Sequence, residues 1–366
     1  MKLVVTQENL NRALQNVSRI ASAKTPLPIL NNILLRTENN MLFIAATNLE
    51  IAITEYIGAK VSKQGSITIP ARLITEFIHN LPKDTVTLEV KDQHLHIKTE
   101  KHSSIINGLG VDEFPELPII NEKKAITLTL HNNSLKSIIS KSIIASSSDT
   151  TRPMLTGVFF HTHRNTLYTV ATDGYRLAEC KVQPQKDNIS AIIPVTSLQE
   201  VLRLIHTEDD ETTILFDENQ ARFRVEKSEI TSKLIDAEYV DYRQLIPQSS
   251  ETTILINKNE FSRIVKIASL FARESAGGIT ISADSKKGVI SIHSIASQLG
   301  ENTSEAAATI TGGGTITLNS RYLIDALNVI DDDEVTFQFS GKLSPCVVTS
   351  TNQSLGYQHI IMPLKS

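Results

Sequence analysis

Tryptophan is absent from this chain and aromatic residues make up only 5% of it. Its cores must therefore be aliphatic, and the abundance of Ile, Val and Thr leans towards pleated strands. Only two cysteines occur, Cys180 and Cys346, which excludes a disulfide framework and suits a reducing compartment. No apolar run approaches the roughly 18–20 residues that a membrane-spanning helix needs. Met1-Lys2-Leu3-Val4-Val5 turns polar at Thr6, too soon for a secretory signal. These absences lead us to expect a soluble, cytoplasmic protein with no membrane partner. An excess of basic charge is missing too, the formal net charge being -4. That balance does not announce a nucleic-acid binder, although an acidic protein can be basic along one face.

Catalytic signatures are also missing. The P-loop, the H-E-x-x-H helix and the G-x-S-x-G elbow do not occur. Gly312-Gly313-Gly314 precedes a strand rather than a helix, so it does not cradle phosphate. His94-x-His96 and His161-x-His163 place two imidazoles on one strand face, but no cysteine or carboxylate completes a ligand set. Asp331-Asp332-Asp333-Glu334 follows a helix and reads as a solvated turn, and nothing else in the sequence supports Mg²⁺ binding there. The expectation is therefore no metal, no cofactor and no catalytic residues.

What the chain does have is a repeat. Its 366 residues are 40% apolar and 21% charged, enough for two or three ordinary cores. Apolar residues at spacings of three, four and seven predict helices at Gln7 to Ala23, Ala71 to Leu81, Ser134 to Ala145, Ser197 to His206, Asn259 to Arg273 and Arg321 to Ile330. In the second of these Leu73, Ile74, Phe77 and Ile78 are expected to face inward. Each helix follows a strand and is followed by strands, as in Ile69-Pro70-Ala71-Arg72 and Ile193-Pro194-Val195. Such periodicity dictates architecture. Six strand–helix–strands half-units make three α+β domains, each with two helices packed on antiparallel sheets. Linkers near Pro115 to Lys124 and Tyr242 to Glu251 put the domains at 1–121, 122–246 and 247–366.

The outward helix faces and neighbouring loops carry Arg12, Arg19, Lys24, Arg72, Lys136, Lys141, Arg203, Arg263 and Lys266. One charged face is ordinary solvated surface. Recurrence over several helices would line a single concave basic surface if the repeats curve. Ala171-Thr172-Asp173-Gly174-Tyr175-Arg176-Leu177-Ala178 is a strand, a turn set by Asp and Gly, and a second strand. Ala46-Thr47-Asn48-Leu49-Glu50 is its weaker copy upstream. From the residues alone two other classes stay open. One is a metal-dependent hydrolase using Asp173 and a His pair, which has no need of six half-units. The other is a monomeric DNA-binding scaffold, which solution mass separates from a ring.

The ordered set of landmarks resembles the β sliding clamp family of bacterial DNA polymerase III over the whole length. The landmarks are Lys24-Thr25-Pro26-Leu27-Pro28-Ile29-Leu30, Asp112-Glu113-Phe114-Pro115, Ala171 to Ala178, Asp241-Tyr242-Arg243, Ser344-Pro345 and the closing Ile361-Met362-Pro363-Leu364-Lys365. The resemblance implies the DNA clamp fold and a head-to-tail homodimer ring around duplex DNA, with twelve helices facing the hole. Twelve helices at about 10 Å each give a ring of axes about 38 Å across and an opening on the order of 28 Å, wide enough for a duplex and water. DNA would be held by topology and by sequence-independent phosphate contacts, with Arg152 beside the residues above.

The resemblance further implies a peptide-binding pocket between the second and third domains. Its matched positions are Leu155, Thr172, Gly174, Tyr175, Arg176 and Leu177 around the turn, then Val240, Gln244 and Leu245 in the linker. Asn319 and Tyr322 lie at a helix start, Leu343 and Pro345 in a loop, and Ile360, Ile361, Met362, Pro363 and Leu364 at the end. Apolar side chains would take a partner's Leu and Phe, with Arg176 and backbone groups as polar fixing points. The family pattern differs at Tyr175, Val240, Gln244 and Ala276. Implied partners are the DNA polymerase III catalytic subunit, the clamp loader, other polymerases and mismatch-repair proteins. Leu109 on one copy, and Leu270 and Phe271 on the other, match the ring-closing interface.

Overall fold

The computed structural model describes residues 1–21, 27–272, 276–298, 300–351 and 356–364. Among these residues there are six α-helices, and each begins directly after a strand. They are α1 (Gln7–Ser18), α2 (Ala71–His79), α3 (Asn132–Ile143), α4 (Val195–Leu204), α5 (Lys258–Phe271) and α6 (Ser320–Asn328). The six expected half-units are present.

The helix ends differ from the periodic reading in a regular way. Beyond α1, α2, α3 and α5, the residues Ile20, Leu81, Ala145 and Ala272 prolong the apolar stripe. Their amides instead bond to carbonyls three residues back, on Val17, Ile78, Ser142 and Ser269, at 3.2–3.4 Å. The last turn tightens to satisfy carbonyls that a helix end leaves open. Short 3₁₀ turns also precede two of the strands. Pro28–Asn31 forms a 3₁₀ turn before the strand Asn32–Glu38, and Pro153–Thr156 repeats this before Gly157–His163. Proline at the first position presets the dihedral for such a turn.

The chain divides into two compact units, Met1–Asn133 with Thr196–Leu234 and Ser134–Val195 with Ile235–Ser366. The first holds a five-stranded and an eight-stranded antiparallel sheet. The eight-stranded sheet is continuous because Ser228–Lys233 pairs with Ile51–Gly58. The second unit holds a nine-stranded and a four-stranded sheet. Its larger sheet is continuous because Tyr357–Ile361 pairs with Arg176–Pro184. The expected middle domain thus contributes strands to both units.

Cores are aliphatic, as the composition requires. Leu10, Leu14 and Val17 of α1 are buried, as are Leu135, Ile138 and Ile139 of α3. Phe261 of α5 meets Phe337 edge-on at 5.7 Å. One inward assignment is corrected. Leu73 is 51% exposed, because on α2 only Ala71, Ile74 and Ile78 fall within the narrow buried stripe. No helix among the described residues is long and apolar enough to cross a membrane.

Candidate functional site

The turn after the strand Thr166–Thr172 is fixed by its own side chains. Thr172 Oγ1 donates to the Arg176 carbonyl at 2.7 Å and accepts from Gly174 N at 3.1 Å. Asp173 Oδ1 accepts from Tyr175 N at 2.9 Å and Arg176 N at 3.0 Å. Gly174 sits at φ 92°, a region costly for any other residue. The closing strand arrives beside this turn, where Met362 N donates to the Tyr175 carbonyl at 2.8 Å. Leu364 N donates to Thr317 O, also at 2.8 Å.

Met362 also lines a groove of about 620 Å³ with Gln244, Leu245 and Pro345, and the lining does not include the residues Thr172 to Leu177. Val347 and Ile246 of its lining belong to, or pack against, the buried cluster of Val170, Leu177, Tyr242 and Ile360. Tyr175, Val240, Leu245, Leu343 and Met362 are exposed apolar side chains. Leu155, Ile360 and Ile361 are buried, so they support the site from within. Pro363 and Leu364 are half-buried. Asn319 caps α6, accepting from Arg321 N at 2.9 Å, and donates to Ala276 O at 3.1 Å.

Arg176 is not the free fixing point expected of it. Its Nε donates to Asp173 at 3.1 Å and its Nη1 to Asp325 at 2.6 Å. The guanidinium lies 4.5 Å over the Tyr322 ring, and the side chain is 10% exposed. A planar cation with fork-like donors suits this double anchorage. It ties the turn to α6 rather than waiting for a ligand.

The reading as a linker missed the far wall of the groove, formed by Ile246 to Glu251 with Gln338, Phe339 and Val347. A serine-rich segment after Pro247 gave no apolar period to find. It also missed what anchors the linker. Tyr242 OH lies 2.8 Å from His161 Nε2 and donates to Glu179. Gln358 Nε2 donates to the other Glu179 oxygen at 2.7 Å. Burial first, then the Arg243 and His163 charges, lower the His161 pKa to about 4. His161 is therefore a neutral packing group near pH 7. The acidic run after α6 is likewise engaged, with Asp331 near Lys141 and Asp332 accepting from Ser350.

The basic side chains differ in exposure. In the first unit Arg19 and Arg72 are exposed, Arg72 pairing with Glu76 at 2.9 Å. Arg12 points back to the fully buried Glu55 at 2.5 Å. Arg203 is held by Glu200 at 2.7 Å and the Asn16 carbonyl at 2.8 Å. In the second unit Arg152, Arg263 and Lys266 are exposed and Lys136 is half-buried. The outward assignment of Lys141 is corrected: it is 7% exposed, with its ammonium 3.3 Å from Asp331 and 5.9 Å from the Tyr357 ring centre. A long stem lets a lysine leave the face on which its Cα lies. Lys24 lies outside the described residues.

Comparison with known proteins gives one answer along the chain. Residues 1–118, 129–241 and 243–365 match the N-terminal, central and C-terminal domain models of the DNA polymerase III beta subunit. The Beta sliding clamp of Bacillus subtilis is 30% identical over 380 residues, covering all of both chains. The chain belongs to the DNA polymerase III beta-subunit family. Among solved structures, the beta subunit from Pseudomonas aeruginosa superposes with a TM-score of 0.95 at 25% identity, covering all of both chains. The sliding clamp from Bacillus subtilis gives 0.95 at 29%, covering 100% of this chain and 99% of that one.

Among the described residues, each unit of this beta-subunit relative also has an outer strand and exposed apolar residues. In the first, Ser103–Asn107 is the outer strand of the five-stranded sheet. Ile105 there is 60% exposed and the adjoining Leu109 47%. In the second, Gly300–Ala307 is the outer strand of the four-stranded sheet, and Ile267 and Leu270 on α5 are 39% and 54% exposed. Phe271 is half-buried. Ile105 and Ile267 were not singled out in the sequence, although their apolar neighbours Leu109 and Leu270 were.

Proposed function

We propose that this protein is a DNA sliding clamp, the processivity factor of its replicative polymerase, working as a head-to-tail homodimer ring and catalysing nothing itself. The carrying observation is the match of all three family domains, in order, to a chain built from six strand-to-helix half-units. The domains correspond to 1–121, 122–246 and 247–366, and the setting is the cytoplasm.

Arg19, Arg72, Arg152, Arg263 and Lys266 are the exposed cations that would touch phosphates of duplex DNA without reading bases. Arg12, Lys141 and Arg203 would hold the helices in place. The apolar edges around Ile105 and Leu109, and around Ile267, Leu270 and Phe271, are liabilities unless covered, and a second copy of the chain would cover them. The groove at Tyr175, Leu245, Pro345 and Met362 would take the Leu and Phe of short peptides from the polymerase III catalytic subunit, the clamp loader, other polymerases and mismatch-repair proteins. Primer extension by the cognate polymerase on a long single-stranded circle tests this. Full-length products from single binding events should require the chain and its loader; unchanged product length without the chain would overturn the reading.

A further inference from the structure

The turn that holds the Met362 segment at the peptide groove is present a second time, in the first unit, with the same hydrogen bonds. Thr47 Oγ1 donates to Ile51 O at 3.0 Å and accepts from Leu49 N at 3.0 Å. Asn48 Oδ1 accepts from Glu50 N at 3.0 Å and Ile51 N at 2.8 Å. Lys233 N donates to Glu50 O at 2.9 Å, as Met362 N does to Tyr175 O. Lys233 thus stands where Met362 stands, Glu50 where Tyr175 stands, and Leu49 where Gly174 stands. Beside this turn opens a groove of about 480 Å³, lined by Leu49, Ile51, Pro118 and Leu234, with Glu50, Glu116, Gln220 and Lys233 around them.

Leu49 is held at φ 76° and is 42% exposed. A leucine in that region carries a backbone penalty that glycine avoids, and exposure brings no burial in return. The Gln220 side-chain oxygen is buried without a hydrogen-bond partner among the described residues, an acceptor left unmet in the wall. The lining carries two carboxylates, Glu50 and Glu116, and one ammonium, that of Lys233. Lys233 lies 3.8 Å from Glu50, while Glu116 is exposed.

We propose that this groove is a second peptide-docking site, for an extended tail of a partner protein in which an aliphatic or aromatic side chain is flanked by Lys or Arg. The apolar residue rests on Leu49, Pro118 and Leu234. The basic residue meets Glu116 and Glu50, and a peptide N–H or an arginine donor satisfies Gln220. The inference rests on the reading of the Met362 groove as a peptide site, since it extends one backbone design to its other copy. The charges differ between the two, so the copies select different partners.

Fluorescence anisotropy on the full-length protein tests it with two labelled peptides, the basic Gly-Lys-Leu-Phe-Lys-Gly and the uncharged Gly-Gln-Leu-Gly-Leu-Phe. Glu50→Lys with Glu116→Lys should weaken the basic peptide on the order of tenfold or more, the equivalent of about 1.4 kcal/mol, and leave the uncharged one alone. Leu49→Gly should weaken the basic peptide without lowering the melting temperature, an outcome that a purely structural role for Leu49 does not give. Met362→Ser should affect only the uncharged peptide. The inference is overturned if the basic peptide does not bind, ignores the charge reversals, or responds to Met362→Ser instead. An uncharged peptide indifferent to Met362→Ser would overturn the reading of the other groove, independently of this one.

Discussion

Two interiors occupy the same place in the repeat and solve it differently. In the first unit the ladder position between Ile44 and Ser228 holds Glu55. In the second, the position between Thr169 and Tyr357 holds Cys180. A buried carboxylate must be compensated. Glu55 draws in Arg12, and Asn16 and Ser228 donate to it at 3.0 Å and 2.8 Å. Cys180 asks for little: Ser142 lies 3.8 Å away, and burial raises the thiol pKa to about 11, so it stays protonated. With no acid to answer, Lys141 reaches to Asp331 at the surface instead. The backbone is repeated; the charge at one strand position decides where a nearby basic side chain finds its partner.

The strongest way to break this comparison is to remove one partner. Arg12→Met strands the Glu55 carboxylate and should cost on the order of 3 kcal/mol, the lower end for a buried pair because Arg12 keeps some solvent. Replacing Glu55 by Met as well should recover much of the loss. Lys141→Met should cost less than about 1 kcal/mol, since Asp331 is 85% exposed. Denaturant midpoints would measure all three, and equal losses at Arg12 and Lys141 would remove the distinction.

Acid sharpens the same contrast. The second unit holds two buried histidines, His161 and His359, and no histidine of the first unit is buried among the described residues. Burial first, and then nearby positive charge, lower the His161 pKa to about 4 and the His359 pKa to about 3. The unfolded chain takes up protons near pH 6.5 and the native state does not, so stability falls as pH drops below 6.5 and levels off only below the native values. Each of the two histidines should cost the second unit about 2 kcal/mol between pH 6.5 and 4, His161 less than His359 because it keeps residual solvent. Hydrogen exchange resolved by segment would show it, and equal acid slopes in both units would count against it.

The smallest effect separates the two turns. Leu49→Gly should stabilise the first unit by about 1 kcal/mol, and Gly174→Leu should cost about 1–2 kcal/mol through the backbone alone. A Cβ at Gly174 would meet nothing nearer than the Arg152 guanidinium at 3.6 Å. Thermal melts of the reciprocal pair would check both signs.

The sequence made the half-units legible because each helix carries an apolar stripe and begins straight after a strand. Periodicity says on which side a Cα lies; it does not say where a long side chain ends. That is why Arg12 and Lys141 read as free surface cations and are not. The turn at Thr172 was readable from Asp and Gly, and its copy at Thr47 from the shared threonine. That Arg176 is held by Asp325 and Tyr322 was not readable, because those partners meet it only after the last third folds back. The wall from Ile246 to Glu251 has neither helical nor strand period and becomes part of the groove only through the strands it follows.

The most direct test of the account is retention on DNA. Labelled protein is placed by its loader on a nicked circular plasmid, washed at high salt and separated by gel filtration, before and after a single restriction cut. Protein should stay with the circle, leave within the time of sliding once the DNA is linear, and do so whatever the plasmid sequence. Equal retention on circular and linear DNA, or retention that follows a particular sequence, would contradict it.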